Sequence, residues 1–391
     1  INETPISVPP IPISGNPNFV NYSVNGFFGD VAIKSTKQVY VSYFGTNGAA
    51  TYGGYYSGFD IKPELSIENS TSISGNCISN VVLKTEPDTD YTYQWMNNGV
   101  DIIGETANTF KPLSPGYYQV KRSIPSCSTS NLSDKIPVSN CPTDDDNDLV
   151  PDDIDLDFDN DGITNCEESF GNAALDLTTT NINKNTYSNT YSSNTTKIPT
   201  TSPAVLLEKN NGDFISEIPS GKGNTLEYTI QFTKPIDLSI EYVNTANSTD
   251  LINSDGEFSV KSAIDKTITV LNPTNQLLID TNYDGIFESG VTQHSSFEIR
   301  FRLNSTTPLV AGTGTFSFQS NKTNSIVFTH QNLSETTTNK ATFSIKAKCI
   351  PRDSDADTIP DYLDLDSDSD GILDIIESQP NILAATSNTD T

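Results

Sequence analysis

Hydrophobic and polar residues alternate with a period of two over much of the chain, which is the pattern of strands that bury one face. The alternation is clearest in four segments, at 226–232, 236–242, 297–303 and 343–347. Long segments with the period of an amphipathic helix are missing. We therefore predict an all-β chain of tandem β-sandwiches, the larger formed by residues 169–350. The polar tract 178–202 is expected to form edge strands and long loops, or to be partly disordered.

A smaller sandwich is predicted over residues 63–140, in the order of an immunoglobulin-like domain. Cys77 precedes one strand, Trp95 lies in the next, and Cys127 follows a later strand that begins at Gly116. This order of Cys, Trp and a Gly-Tyr strand is a hallmark of that fold. Because neither cysteine lies within its strand, we expect a Cys77–Cys127 bridge to staple one end of the sandwich. The order resembles the immunoglobulin-like modules of Bacteroidetes surface proteins, and a spacer role is favoured over binding.

The two ends of the chain are expected to belong to neighbouring modules. Residues 1–62 contain a Pro-rich segment and few strands, which suggests the C-terminal part of a β domain, with a small independent sheet as the alternative. The Tyr- and Gly-rich run 52–59 either stacks on a sugar or packs strands. Residues 379–391 are expected to be a linker or the start of another module. Because the chain begins at Ile1 without Met or a signal peptide, we expect a processed or excised piece.

Two acidic stretches, 144–168 and 353–377, interrupt the β pattern with a different repeat. Each divides into two frames of 12 residues whose first residues are 13 apart, so the four frames begin at Asp144, Asp157, Asp353 and Asp366. Every frame has oxygen-bearing side chains at positions 1, 3, 5, 9 and 12, and Val or Ile at position 7, where a backbone carbonyl can bind. This is the ligand pattern of a calcium loop. Four frames in register favour metal sites over a solvated acidic linker.

The charge distribution supports the same interpretation. The chain has a net charge of −28, and the two stretches hold 22 of its 50 acidic residues and none of its 22 basic ones. These stretches would therefore repel themselves strongly without bound cations. The chain has no basic patch to contact phosphates, so nucleic acid is not an expected partner. No apolar run approaches the length of a membrane span, so membrane insertion is not expected.

The paired frames, joined by the pattern D-L-D-x-D-x-D-G-I, resemble the thrombospondin type 3 repeats of large secreted surface proteins of Bacteroidetes. The resemblance implies calcium as the ligand and assigns the metal-binding residues one by one. In the first pair these are Asp144, Asp146, Asp148, Val150, Asp152, Asp155, Asp157, Asp159, Asp161, Ile163, Asn165 and Glu168. In the second pair they are Asp353, Asp355, Asp357, Ile359, Asp361, Asp364, Asp366, Asp368, Asp370, Ile372, Asp374 and Glu377. Val and Ile would bind through backbone carbonyls. Leu149 and Thr358 stand where the family has Gly, so their loops either avoid positive φ or carry strain.

One segment of the larger sandwich matches the calcium frame in part. Positions 1, 3, 5, 7 and 9 are occupied by Asp280, Asn282, Asp284, Ile286 and Glu288. Val291 stands at position 12, where it cannot supply the usual carboxylate. The segment is therefore either a fifth metal site or a tight β-turn with Gly285 at its crest.

Five cysteines in this composition favour an oxidising compartment outside the cell. Cys141 stands just before the first calcium pair and Cys166 near its end, so a bridge between them would close that pair. Cys349 precedes the second pair, but Ile375 occupies the position expected for its partner. Cys349 is therefore free, bonded outside this chain, or bonded to Cys166 across the base of the larger sandwich.

Catalysis has little support in the sequence. The two histidines, His294 and His330, lie in or beside strand patterns, away from any Ser or Cys nucleophile motif. No G-x-S-x-G, H-E-x-x-H, P-loop or G-x-G-x-x-G segment occurs. Zinc is not expected because neither Cys nor His is clustered. We predict a non-catalytic protein.

The order of modules is similar to that of the giant gliding-motility adhesins of Bacteroidetes. That resemblance implies type IX secretion, display as filaments on the cell surface, and contacts with neighbouring modules, the gliding machinery and an extracellular surface or polysaccharide. Since each calcium pair follows a β-sandwich, the loops are expected at domain junctions, where bound ions would stiffen the filament. Two alternatives are that the larger sandwich binds carbohydrate, or that the chain is the accessory region of a secreted hydrolase.

Overall fold

The protein is represented by a computed structural model, which describes residues 1, 6–14, 16–27, 31, 33, 39–56, 62–69, 75–89, 91–125, 129–242, 252–307, 309 and 316–378. Within these residues almost all regular structure is β-strand, which confirms the all-β prediction. The chain divides into two compact units, Ile1–Ile61 and Lys62–Thr391. In the described ranges no helix is long and apolar enough to cross a membrane. The predicted C-terminal linker, 379–391, lies outside the described residues.

The described residues of the first unit form two antiparallel hairpins. β1 (Ile11–Ile13) pairs with β2 (Asn16–Asn21), and β3 (Val41–Asn47) pairs with β4 (Ala50–Tyr56). The second hairpin turns at Gly48, whose φ of +62° suits a residue without a side chain. The Tyr- and Gly-rich run therefore pairs strands, although several of its rings lie at the surface. Residues 57–59 of that run lie outside the described part of the chain.

The second unit begins with a small sandwich of two sheets. Its strands are β5 (Ser66–Asn69), β6 (Val81–Lys84), β7 (Thr92–Asn97), β8 (Val100–Asp101), β9 (Thr109–Phe110), β10 (Gly116–Ile124), β11 (Thr129–Leu132) and β12 (Ile136–Val138). One sheet contains β5, β6 and β9, and the other contains the remaining five strands. Trp95 of β7 is fully buried, stacks on Phe110 of β9, and donates its indole N–H to Ala107 O at 2.8 Å. This arrangement fits the predicted immunoglobulin-like sandwich.

The described residues of the larger sandwich form one sheet of thirteen strands. They are β13 (Ala173–Ala174), β14 (Asn181–Lys184), β15 (Tyr187–Ile198), β16 (Val205–Glu208), β17 (Asp213–Ile218), β18 (Thr225–Tyr242), β19 (Gly256–Ser262), β20 (Ile268–Leu271), β21 (Leu277–Ile279), β22 (Gln293–Ser296), β23 (Glu298–Leu303), β24 (Ser317–Asn332) and β25 (Asn339–Ala347). The four alternating segments lie in β18, β23 and β25, apart from Phe297, which precedes β23. Their apolar side chains belong to one core, except that of Phe297, whose ring meets Tyr117 of the smaller sandwich. The polar tract 178–202 forms β14 and β15, so it contributes strands to the sheet.

The longest strand, β18, contributes to two parts of the sheet because it is interrupted by a bulge. Its register with β24 shifts between Gln231 and Leu238. Pro235 has no amide hydrogen to donate there, and bulges bend a strand. Before the shift β18 pairs with β15, and after it β18 pairs with β25. The two alternating segments 226–232 and 236–242 are thus one bent strand.

The first disulfide joins Cys77 to Cys141, so the predicted Cys77–Cys127 bridge is wrong. The reason lies in the backbone, where Ile78 N donates to Ser139 O at 2.8 Å and brings the chain after β12 beside Cys77. Cys127 lies outside the described residues. The bond closes a loop of 64 residues that contains most of the smaller sandwich.

The second disulfide joins Cys166 to Cys349, so the predicted Cys141–Cys166 bridge is also wrong. Phe170 N donates to Ile350 O at 2.9 Å, and Ile350 N donates to Gly171 O at 3.1 Å. These bonds hold the two ends of the larger sandwich together at its base. Of the three alternatives for Cys349, the bond to Cys166 is confirmed.

Candidate metal sites

Five loops share one backbone path, which local hydrogen bonding explains. We call them loop 1 (144–155), loop 2 (157–168), loop 3 (353–364), loop 4 (366–377) and the Asp280 loop (280–288). In every loop the fourth and the sixth residues have positive φ. The fourth residues are Asn147, Asn160, Ala356, Ser369 and Tyr283, and the sixth are Leu149, Gly162, Thr358, Gly371 and Gly285. Two residues in the left-handed conformation, so close together, curve the backbone around a centre toward which the side chains of alternate residues can turn.

The carboxylates at positions 1 and 5 hold this path in all five loops. The amide of residue 6 donates to the carboxylate of residue 1, as Gly162 N does to Asp157 Oδ2 at 3.0 Å. The amide of residue 7 donates to residue 5, as Ile163 N does to Asp161 Oδ1 at 2.7 Å. The equivalent bonds occur in the other four loops. A carboxylate oxygen has two lone pairs, so such a bond leaves it able to bind a cation.

Position 9 has a structural role that the sequence pattern did not reveal. In loop 2, Asn165 Oδ1 accepts the amide of Phe158, the second residue of the frame, at 2.8 Å. Asp152, Asp361, Asp374 and Glu288 accept the equivalent amide in the other loops at 2.8–2.9 Å. These side chains close the loop, and in calcium loops this position often reaches the ion through a water molecule.

Leu149 and Thr358 adopt the same left-handed conformation as the glycines that they replace. Their φ values are +81° and +85°, against +93° for Gly162 and +91° for Gly371. Of the two expected alternatives, loops 1 and 3 therefore carry the strain. A side chain in this region costs about 1–2 kcal/mol, and more for a β-branched residue such as Thr.

Loop 2 holds several carboxylates whose oxygens are buried. Within the described structure, both oxygens of Glu168 and one oxygen each of Asp159 and Asp161 are buried without a hydrogen-bond partner. Burial, together with the neighbouring carboxylates, raises the pKa of Glu168 to about 9 and that of Asp159 to about 7. Buried carboxylates are rare unless they are paired with a cation. The oxygen-only donor set fits a hard cation such as Ca²⁺.

The two pairs of loops lie side by side, whereas the order of modules predicts separate junctions. Oxygens of Asp161 and Glu168 in loop 2 lie within 4.8 Å of an oxygen of Asp374 in loop 4. Asn160 of loop 2 donates to Asp146 of loop 1, Ser369 of loop 4 donates to Asp355 of loop 3, and the ring of Phe158 in loop 2 meets that of Tyr362 in loop 3. Within loops 1, 2 and 3, separately, the carboxylates of positions 1, 3 and 5 also have oxygens within 4.8 Å of one another. The four loops therefore form one acidic block at the base of the larger sandwich. Loop 2 is buried or half-buried at every residue except Glu167, whereas most of loop 4 is exposed.

Lysines of the larger sandwich face the acidic block. Lys322 Nζ lies 3.2 Å from Asp145 Oδ2 of loop 1. Asp153 of the same loop is buried, which raises its pKa to about 7, while burial lowers the pKa of the nearby Lys348. Neither lysine could be assigned to the site from the sequence, because they come from β24 and from the segment after β25, far along the chain.

Comparison with known proteins leaves the chain without an assigned family. No protein-family model matches it, and no curated protein does so either. Among solved structures, a chain from "Structure of infectious bursal disease virus Gx strain" is 10% identical and covers 82% of this chain and 82% of its own length. Its TM-score is 0.12, which carries no argument about fold or function.

Proposed function

We propose that the chain is a non-catalytic segment of a long extracellular filament, similar to segments of the gliding-motility adhesin SprB. Its calcium loops and disulfides form the path along which tension passes through the chain. The observation that carries this proposal is the pairing of the cysteines. Cys77 and Cys141 enclose most of the smaller sandwich, and Cys166 and Cys349 enclose the larger one.

A force applied to the two ends of the second unit would follow the shortest covalent path. That path crosses from Cys77 to Cys141, follows the first pair of loops to Cys166, crosses to Cys349 and continues into the second pair. The bonded cysteines are 64 and 183 positions apart in the sequence, and the residues between them are bypassed. Both sandwiches would then lie outside the path and be protected from unfolding under tension. The loops remain within it, except for Glu167 and Glu168 at the end of loop 2.

Calcium bound in loops 1–4 would make those parts of the path resist extension. Without cations the carboxylates of the acidic block repel one another, and only the local hydrogen bonds of each loop resist its opening. An ion that binds carboxylates and a backbone carbonyl of one loop links the two ends of that loop, so the loop can no longer open freely. Extracellular calcium modules commonly have dissociation constants of about 10⁻⁴–10⁻³ M, which suits a surface protein. Type IX secretion and display on the cell surface belong to the same proposal.

Single-molecule pulling from the two ends of the chain tests the proposal. In calcium without reductant, we expect no unfolding step from the larger sandwich. After reduction, that sandwich should release 183 residues, or about 600 Å of contour length. Chelation without reduction should instead lengthen the chain by the loops alone. An unfolding step of about 600 Å in the oxidised protein would contradict the proposal.

Exposed aromatic rings on the first unit favour a second candidate function, recognition of a polysaccharide. Tyr43, Phe44, Tyr52 and Tyr55 of the β3–β4 hairpin are 57%, 76%, 57% and 81% exposed. Exposed rings are suited to stack on sugar faces. Binding to a glycan array that is abolished by Tyr55→Ala and retained after calcium chelation would support this function over a purely mechanical one.

A further inference from the structure

The Asp280 loop connects β21 to the segment before β22 and is closed at its base by two backbone hydrogen bonds. Ile279 N donates to Glu288 O at 3.0 Å, and Glu288 N donates to Ile279 O at 2.9 Å. Glu288 Oε2 also accepts Thr281 N at 2.8 Å, which is the bond that position 9 makes in loops 1–4. The loop thus has the geometry of the paired loops, but it connects strands of the larger sandwich.

The oxygens at the centre of this loop include one that is buried and unpaired. Carboxylate oxygens of Asp280, Asp284 and Glu288 lie within 4.8 Å of one another. Asp280 is only 1% exposed, and its Oδ2 accepts Gly285 N at 3.2 Å. No donor in the described part of the chain reaches its other oxygen, Oδ1. A buried carboxylate oxygen of this kind calls for a cation. The nearby Arg300 makes its ion pair with Glu298, at 2.7 Å.

The same loop carries a side chain into the core of the smaller sandwich. Tyr283, at position 4, is 1% exposed and belongs to the apolar cluster of that sandwich, which contains Val81, Trp95 and Phe110. Its hydroxyl donates to Glu298 O, and its φ of +62° is unfavourable for a residue with a side chain. Asn76 of the smaller sandwich donates to Thr281 O at 3.1 Å. The loop therefore joins the two β modules.

We propose that the Asp280 loop is a fifth calcium site, whose ion fixes the conformation that places Tyr283 in the smaller sandwich. The ligands are the oxygens of Asp280, Asn282, Asp284 and Glu288, with the carbonyl of Ile286, and water completes the coordination. Because Val291 replaces the carboxylate of position 12, this site binds more weakly than loop 2. Calcium thereby couples the two β modules directly, apart from the covalent connection through loops 1 and 2.

Counting bound ions in the full chain tests the site. Equilibrium dialysis against saturating Ca²⁺ compares the wild type with Asp284→Ala and with Asp265→Ala as the matched control. Asp284 and Ile286 are exposed, so water can replace the bond that Asp284 accepts from the amide of Ile286, and the variant should fold. Asp265 is exposed in another turn of the same sandwich. We expect Asp284→Ala, which removes the ligand oxygens of position 5, to bind one ion fewer than the wild type and Asp265→Ala to bind the same number.

The coupling to the smaller sandwich has its own readout, because Trp95 is the only Trp in the chain. Calcium should shift the Trp95 emission to shorter wavelength in the wild type and in Asp265→Ala, with no shift in Asp284→Ala. The variant Asp157→Asn, which disables loop 2, should retain the shift, so failure of the paired loops is distinguished from failure of this site. An unchanged ion count in Asp284→Ala overturns the site. A lost ion with an unchanged Trp95 response overturns the coupling.

Discussion

The rings of Phe158 and Tyr362 meet edge to face, with centroids 5.6 Å apart and planes at 82°. Phe158 is the second residue of loop 2, and Tyr362 lies in the short 3-10 helix Asp361–Leu363 of loop 3. Both side chains are buried, and they join two acidic segments that are almost 200 residues apart in the sequence. The acidic block therefore has an apolar contact of its own beside its carboxylates.

Removal of this contact should destabilise the block. Phe158→Ala and Tyr362→Ala should each lower the free energy of unfolding by about 3 kcal/mol, because each leaves a cavity. A double-mutant cycle should give a coupling of about 1 kcal/mol between the rings. Urea unfolding in saturating calcium measures these values, with Tyr362→Phe as the control that keeps the ring. If the changes in the free energy of unfolding simply add in the double mutant, the two pairs of loops do not stabilise each other through this contact.

Glu168 and its neighbour Glu167 should respond very differently to the same substitution. Glu168 is buried with both oxygens unpaired within the described residues, whereas Glu167 is exposed and accepts the amide of Thr164 at 3.2 Å. Glu168→Gln removes a charge that only a cation can balance, so calcium affinity should fall at least about tenfold, while Glu167→Gln should leave it within about twofold. Calorimetric titration checks both values. Equal effects in the two variants would rule out Glu168 as a principal ligand.

Thr358→Gly should stabilise the protein, although most substitutions do the opposite. Thr358 has a φ of +85°, which glycine adopts without a steric penalty. The gain should be about 1 kcal/mol, reduced by the extra freedom of glycine in the unfolded chain. Gly371→Ala is the converse variant at the same position of loop 4, where φ is +91°, and should destabilise by a similar amount. Thermal unfolding in calcium measures both, and a loss of stability in Thr358→Gly would show that strain is not the dominant effect.

The loops were predictable from the sequence because their structure is local. In loop 2, the bonds that the amides of Phe158, Gly162 and Ile163 donate to side chains of the same loop join residues two to seven positions apart. A repeated pattern of side chains is then enough to specify the path of the backbone. The strand 225–242 was predictable for the same reason in its two halves, although not as one strand.

The partners across the chain were not predictable, because they depend on which distant segments the fold brings together. Cys77 meets Cys141 only because the segment after β12 returns beside it, and the spacing to Cys127 was misleading. Asp374 meets Glu168 only because the larger sandwich brings its two ends together. The role of Tyr283 had no signal in the sequence, since a Tyr in a turn is ordinarily exposed.

Acid should destabilise the larger sandwich through His330. This side chain is fully buried, is stacked on Phe258, and lies 2.8 Å from Asn339 Oδ1 and 2.9 Å from Ser216 Oγ. Burial lowers its pKa to about 4, whereas the unfolded chain has a value near 6.5. As the pH falls below 6.5 the unfolded state binds a proton that the folded state excludes, so stability is lost between pH 6.5 and 4. At pH 5 this loss amounts to about 2 kcal/mol from His330.

Urea unfolding of the wild type and of His330→Gln between pH 7.5 and 5 isolates the effect, because His294 and the carboxylates are common to both. The difference in stability between the two proteins should shrink by that amount toward pH 5, and parallel curves would contradict the assignment.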